Sequence, residues 1–257
     1  MRLVIKVGTS TLAHATGHLN IRRVEELCRI LSDLKNSGHE VILVSSGAIG
    51  MGVGKLSLKE RPTDIPTKQA AAAVGQCELM YTYDRIFQEY NHTVAQLLLT
   101  GSDFRQDDRY HNFQNTMRRL LELEVLPIIN ENDTIATEEI KVGDNDTLSA
   151  MVAVSVGADR LILLSDIDGL YTSDPHKDPA AVLIPEVRSL TDEILSLGGG
   201  EGSTLGTGGM RTKLQAAGLC MDAGCEMVIL NGATPSLLYD LFDGKTVGTR
   251  FIPNSKG

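Results

Sequence analysis

Four short aliphatic runs in this chain each stop abruptly at small or polar residues, and that repeated ending constrains the fold more than any other feature. Residues 3–7 (LVIKV) run into Gly8, Thr9, Ser10 and Thr11, and residues 40–45 (EVILVS) run into Ser46, Gly47 and Ala48. Residues 126–130 (LPIIN) lead to Glu131, Asn132 and Asp133, and residues 160–165 (RLILLS) end at Asp166. Uninterrupted apolar runs of this length suit strands buried on both faces. Residues 93–99, 226–230 and 244–251 read as further strands. Between the runs, apolar residues recur at helical spacing, as in Ile21, Val24, Leu27, Leu31 and Leu34 behind the N-cap candidate Asn20. Residues 67–89, 110–123, 147–156, 191–197, 210–223 and 236–242 also read as helices, whereas 55–66, with two prolines, and the charged 102–109 read as loops. Strands alternating with helices along the whole chain imply an α/β fold: a doubly wound, mainly parallel sheet sandwiched by helices.

Open α/β sheets place their ligands beyond the carboxyl ends of the strands, where this chain concentrates its unusual residues. Glu131, Asp133, Glu138, Glu139, Asp144 and Asp146 crowd into 131–146. They are either ordinary turns or a site for a cationic group or a metal. Residues 134–142 (TIATEEIKV) are expected to form a hairpin that closes as a lid. Lys6 either emerges at its strand end toward an anion or lies on an edge strand in water. Ser46, Gly47 and Ala48 form a small-residue strand-to-helix turn that suits a phosphate or carboxylate, or serves close packing alone. Residues 198–213 are the most glycine-rich part of the chain, and Arg211 and Lys213 stand in the first turns of a helix. Cations there oppose the helix dipole unless an anion sits among them.

Composition excludes several classes. The 257 residues carry 24 basic and 33 acidic side chains, a net charge of -9, with no dense basic run, which argues against nucleic acid as the main partner. Cys28, Cys77, Cys220 and Cys225 form no CxxC pair and read as core thiols of a reduced, cytoplasmic protein. The apolar stretch at the amino terminus is interrupted by Lys6 and too short for a signal peptide, and no run approaches a membrane span. One domain, 1–257, is expected. The P-loop pattern fails, because Gly244, Lys245 and Thr246 are preceded by Tyr239 where its leading glycine belongs. GxGxxG after the first strand, HExxH and GxSxG are absent as well.

Four motifs in order, IKVGTS (5–10), SSGAIG (45–50), INEND with KVGDND (129–146) and LGTGGMRTK (205–213), resemble the amino acid kinase family. They are most similar to its members that phosphorylate the side-chain carboxylate of L-glutamate with ATP, the first step of proline synthesis. The resemblance implies ATP with Mg²⁺, and roles for Lys6 and Lys213 at the transferring phosphates with Asp146 holding both lysines. It further implies that Ser46, Gly47, Ala48, Asn130, Asp133 and Asn145 bind glutamate. Lys6, Gly8, Thr9, Ser165, Asp166, Thr207, Gly208, Gly209, Met210, Arg211, Thr212 and Lys213 would bind the nucleotide, and no protein ligand of the metal is assigned. L-proline is implied as a feedback inhibitor and a homo-oligomer as the assembly. Many such enzymes carry an additional carboxyl-terminal domain resembling RNA-binding modules, for which this chain leaves no room after Gly257. Kinases of N-acetylglutamate, aspartate, carbamate or UMP, and a catalytically inactive amino acid sensor, are the competing readings. The acidic INEND and GDND segments disfavour the first, since an N-acetylated substrate has no ammonium.

Overall fold

The computed structural model describes residues 1–14, 16, 18–136, 145–199 and 209–253. Its elements follow the alternation of the sequence: β1 (Arg2–Val7), α1 (Thr9–Leu12), α2 (Ile21–Asn36), β2 (Glu40–Val44), α3 (Ala48–Lys55), α4 (Ile65–Glu89), β3 (Val94–Leu99), α5 (Asp107–Glu122) and β4 (Leu126–Glu131). There follow α6 (Asn145–Ser155), β5 (Arg160–Ser165), β6 (Glu186–Val187), α7 (Asp192–Ser196), α8 (Met210–Ala223), β7 (Glu226–Asn231), α9 (Leu237–Phe242) and β8 (Thr249–Phe251).

The strands form one sheet in the order β3-β4-β2-β1-β5-β7-β8-β6, parallel throughout except where β8 runs against β7. From β1 the chain winds outward through β2, then crosses back to β5 on the other side. The carboxyl end of β1 therefore lies at the topological switch point.

Alternation along each strand divides the apolar residues between two cores. Leu3, Ile5 and Val7 of β1 pack with α2, α4 and α9, while Val4 packs on the opposite face with α5, α6 and α8. Lys6 continues the Val4 row. It thus points toward the first turns of α6 and α8 from a central strand, paired with Val44 on one side and Leu163 on the other.

Several boundaries differ from expectation for identifiable reasons. Helix α4 starts before 67 because the Asp64 carboxylate caps it by accepting from the Thr67 N–H, and Pro66 fits the first turn, where no N–H is required. Helix α5 begins at Asp107, inside the expected charged loop, with Asp107 and Asp108 favourably placed at its positive end. The last strand is confined to 249–251, and the two-residue β6 carries no periodic pattern by which it could be recognised. Asn20 does cap α2, accepting from the Arg23 N–H. Cys28, Cys220 and Cys225 are core thiols as expected, but Cys77 is exposed on α4. Most of the expected hairpin at 134–142 lies outside the described residues.

Candidate active site

Two side-chain clusters meet at the carboxyl edge of the sheet, and consecutive residues opening α6 serve both. The first is charged. Asp146, wholly buried, receives Lys6 Nζ at 2.6 Å on one carboxylate oxygen and Lys213 Nζ at 3.0 Å on the other. Lys6 comes from β1 and Lys213 from the first turn of α8, where Thr212 Oγ1 also donates to Asp146 at 3.3 Å. The anion demanded by a lysine at a helix N-terminus is thus supplied in part by the protein itself. Burial pushes the Asp146 carboxyl up, but the charges of Lys6 and Lys213 and their hydrogen bonds outweigh it and hold the group at about 2. Two ammonium groups thus share one carboxylate, and both lysines are nearly closed off from water.

The second cluster is neutral. Asn145 Nδ2 shares its two hydrogens among three acceptors, the Ser45 carbonyl at 2.6 Å, Ser46 Oγ at 2.8 Å and Asn130 Oδ1 at 3.0 Å. Asn130 Oδ1 also accepts from the Glu131 N–H at 2.9 Å, and Asn130 Nδ2 donates to Gln76 Oε1 at 2.9 Å. Ser45 Oγ lies 3.0 Å from the buried Tyr83 hydroxyl. Gly47, at φ +92, turns the chain from β2 into α3 in a left-handed conformation that a side chain would strain. The N-terminal ends of α3, α6 and α8 all lie at this edge, where the positive ends of their dipoles favour anions.

Of the nucleotide-side residues, Gly8 donates its N–H to the Leu164 carbonyl at 3.3 Å, beside Ser165, whose Oγ donates to Asp166 at 3.2 Å. A Cβ on Gly8 would stand 3.8 Å from Lys6 Nζ, and Thr9 packs its methyl against Gly47. Gly209 caps α8, Met210 is half-buried and Arg211 is exposed. Asp133 is half-buried just beyond β4. Thr207 and Gly208, with Glu138, Glu139 and Asp144, lie outside the described residues. Glu131 is buried at the strand end, and no three His, Cys, Asp or Glu side chains gather as a metal cage among the described residues.

Gln76 and Tyr83 escaped the sequence reading. The available signal was positional: both fall on the apolar stripe of α4 with Leu79, Ile86 and Phe87, where an uncompensated polar group is costly.

A buried pair of lysines and three helix N-termini at one switch-point edge give that edge the chemistry of an anion site. The amino acid kinase family model matches residues 1–231, and the chain belongs to that family. It is similar to the glutamate 5-kinase of Listeria innocua, with 54% identity over 97% of this chain and 92% of that relative. It is also similar to the glutamate 5-kinases of Clostridium tetani (55% identity, 97% of this chain, 93% of that one) and Clostridium acetobutylicum (53%, 99% and 96%). Among solved structures, carbamate kinase from Giardia lamblia bound to AMP-PNP superposes with a TM-score of 0.69 at 20% identity, covering 98% of each chain. The isopentenyl phosphate kinase product complex of T. acidophilum gives a TM-score of 0.68 at 16% identity, over 97% of this chain and 99% of that one. At such identities the likeness shows the fold, a mainly parallel sheet between helices. No helix among the described residues is long and apolar enough to cross a membrane.

Proposed function

We propose that this chain is an ATP-dependent kinase that transfers the γ-phosphoryl group to the side-chain carboxylate of L-glutamate, giving L-glutamyl 5-phosphate and ADP, as the first step of proline synthesis. The observation that carries phosphoryl transfer is the pair of buried lysines held on the single carboxylate of Asp146. The acceptor follows from the high identity to relatives named glutamate 5-kinase over almost the whole chain.

A carboxylate with an ordinary pKa of about 4.3 is already ionised at neutral pH, so the acceptor needs no general base. Its oxygen attacks the γ-phosphorus, the bond to the bridging oxygen breaks, and ADP departs with the electron pair. What the protein must supply is alignment and compensation of the charge spread over the phosphoryl oxygens. Lys6 and Lys213 reach those oxygens from opposite sides of Asp146, which fixes both ammonium groups before substrate arrives. Gly8, Thr9, Ser165, Asp166 and the start of α8 surround the nucleotide. Asn130, Asp133, Asn145 and the Ser46–Gly47–Ala48 turn hold glutamate. All three contacts of the Asn145 side chain are made through Nδ2, so Oδ1 has no partner among the described residues and can accept from the glutamate ammonium.

The donor set fits a magnesium ion that arrives on the nucleotide. The Asp146 carboxylate is already occupied by two cations, and Mg²⁺ characteristically binds through substrate phosphates and water. Such an ion, when bound with the nucleotide, would supply further neutralisation of phosphate charge.

We assign the chain as a single kinase domain acting in the cytoplasm, as a homo-oligomer. L-proline, which also carries an ammonium and a carboxylate on one carbon, is expected to inhibit by sharing the glutamate site. ADP release from MgATP should require L-glutamate, and hydroxylamine should trap the acyl phosphate as a hydroxamate. Equal or better turnover with aspartate, carbamate or N-acetylglutamate would overturn the assignment. Proline should inhibit at low glutamate and lose its effect at saturating glutamate.

A further inference from the structure

Helix α4 supplies none of the site residues expected from the sequence, yet it braces the neutral half of the site at three points. Gly75 and Gly52 form the seam between α4 and α3: a Cβ on Gly75 would overlap the Ala48 carbonyl, and one on Gly52 would overlap the Ala71 carbonyl. The first turn of α3, which opens at Ala48, is therefore locked to the middle of α4. One residue beyond Gly75, Gln76 reaches the end of β4, and two turns later Tyr83 reaches Ser45 at the end of β2.

The orientation of every amide in this cluster follows from two backbone groups. The Ser45 carbonyl only accepts, so the Asn145 atom facing it is Nδ2. The Glu131 N–H only donates, so the Asn130 atom facing it is Oδ1, and that same oxygen accepts from Asn145. Asn130 must then present Nδ2 to α4, and the atom that meets it must be an acceptor. Gln76 Oε1 fills that position, with Gln76 Nε2 directed at Gln96 Oε1, 3.5 Å away. Asn130 and Gln76 are both nearly closed to water, so no solvent molecule competes for the role.

We infer that Gln76 is a positioning residue for the acceptor half of the reaction: it fixes the rotation of the Asn130 amide, and through Asn130 and Asn145 it sets the donors and acceptors offered to glutamate. The inference rests on the assignment of this half of the site to glutamate. Removing the acceptor leaves Asn130 Nδ2 buried without a partner. The amide then gains by rotating or withdrawing, which breaks its bond to Asn145 or to the Glu131 N–H. Among the described residues, none of these hydrogen bonds is made to Lys6 or Lys213.

The test compares Gln76→Met, close in volume but without an acceptor, with Gln76→Glu, whose carboxylate still accepts from Asn130 while the exposed Gln96 amide is free to turn. Steady-state rates are measured against glutamate and ATP separately, and thermal midpoints are recorded for each protein. Q76M should raise KM for glutamate about tenfold with KM for ATP within twofold of wild type, and Q76E should restore glutamate KM to within about threefold. Gln76→Ala replaces Q76M if the latter does not fold. A glutamate KM unchanged in the folded acceptor-free variant, a parallel rise in KM for ATP, a Q76E as impaired as Q76M, or loss of fold in both Q76M and Q76A would each overturn the proposal. A wild-type protein without glutamate-dependent ADP release would instead overturn the functional assignment, and this inference with it.

Discussion

The two halves of the site are built on different physics, although Asn145 and Asp146 are neighbours in the chain. Around Asp146 the structure relies on charge: three ionised groups from β1, α6 and α8, buried together, whose positions follow from mutual attraction. Around Asn130 it relies on direction: uncharged amides and hydroxyls, each rotated into place by what the next can give or accept. Charge suits the nucleotide, whose phosphates need compensation at any orientation. Directed neutral groups suit an amino acid, which must be told from its analogues by where its ammonium and carboxylates lie. The comparison teaches that the charged half should fail by losing rate and stability, and the neutral half by losing affinity for one substrate.

The largest effect is expected from Asp146→Asn, which keeps the shape and removes the carboxylate charge that two buried ammonium groups share. Breaking a buried ion pair in this way typically costs about 3–5 kcal/mol, so urea unfolding should show a loss of that order together with a collapse of kcat. An unchanged unfolding midpoint would mean that the cluster is not held by charge. Lys6→Ala and Lys213→Ala come next. Each leaves Asp146 neutralised by the remaining lysine, so the fold should survive while kcat falls by roughly 10² or more, the scale of one preorganised contact to the transition state. Near-normal kcat in both folded variants would place the phosphate site elsewhere.

Acid should separate the halves further. The Asp146 carboxyl is held at about 2, below its ordinary 3.8, so it adds stability that is fully present above the unfolded value and is lost as pH falls toward the folded one. A shift of that size corresponds to about 2 kcal/mol, disappearing between roughly pH 5 and pH 2. The unfolding free energy of wild type should therefore fall more steeply from pH 5 to 3 than that of Asp146→Asn. Equal slopes would remove Asp146 from the balance. The amide cluster adds no such slope, because none of its members titrates in this range.

The same division explains what could be read in the sequence. Lys6 stood out because a lysine in a run of aliphatic residues has no apolar explanation, and the alternation of β1 places it on the Val4 face. The helix carrying Lys213 is bounded by glycines that mark both its ends, and Met210 to Ala223 was legible to the residue. The sequence also presented two motifs containing Asn130 and Asn145, but their pairing across the end of β4 is a contact between residues fifteen apart through a sheet edge. Gln76 and Tyr83 were harder still. A glutamine and a tyrosine on a long helix fit any surface, and only the packing of α4 against β2 and β4 turns them inward. Gly75, a residue type that lowers helix propensity, stands where α3 packs so closely that a Cβ would overlap the Ala48 carbonyl. Local pattern thus located strands, helices and charged oddities, while directed neutral contacts depended on tertiary placement.

Asn145→Ala has the smallest expected effect and is the sharpest test of the comparison, because the residue adjoins Asp146 yet belongs to the other half. The change deletes the two N–H donors shared among Ser45, Ser46 and Asn130, and removes the Oδ1 acceptor assigned to the glutamate ammonium. None of these groups is charged. A net loss of about 1–1.5 kcal/mol for the ligand contact corresponds to a rise in glutamate KM of about tenfold. Loosening of the Ser46 turn adds to that number, since the hydroxyl then keeps no tie to α6. Meanwhile Asp146 retains both lysines, so KM for ATP should stay within about twofold and the acid dependence of stability should match wild type. The two readouts answer separate questions. If glutamate KM rises alone, adjacent residues serve independent halves of the site. If KM for ATP rises with it, or the slope below pH 5 changes, the first turn of α6 transmits the loss from Asn145 to Asp146, and the halves act as one unit.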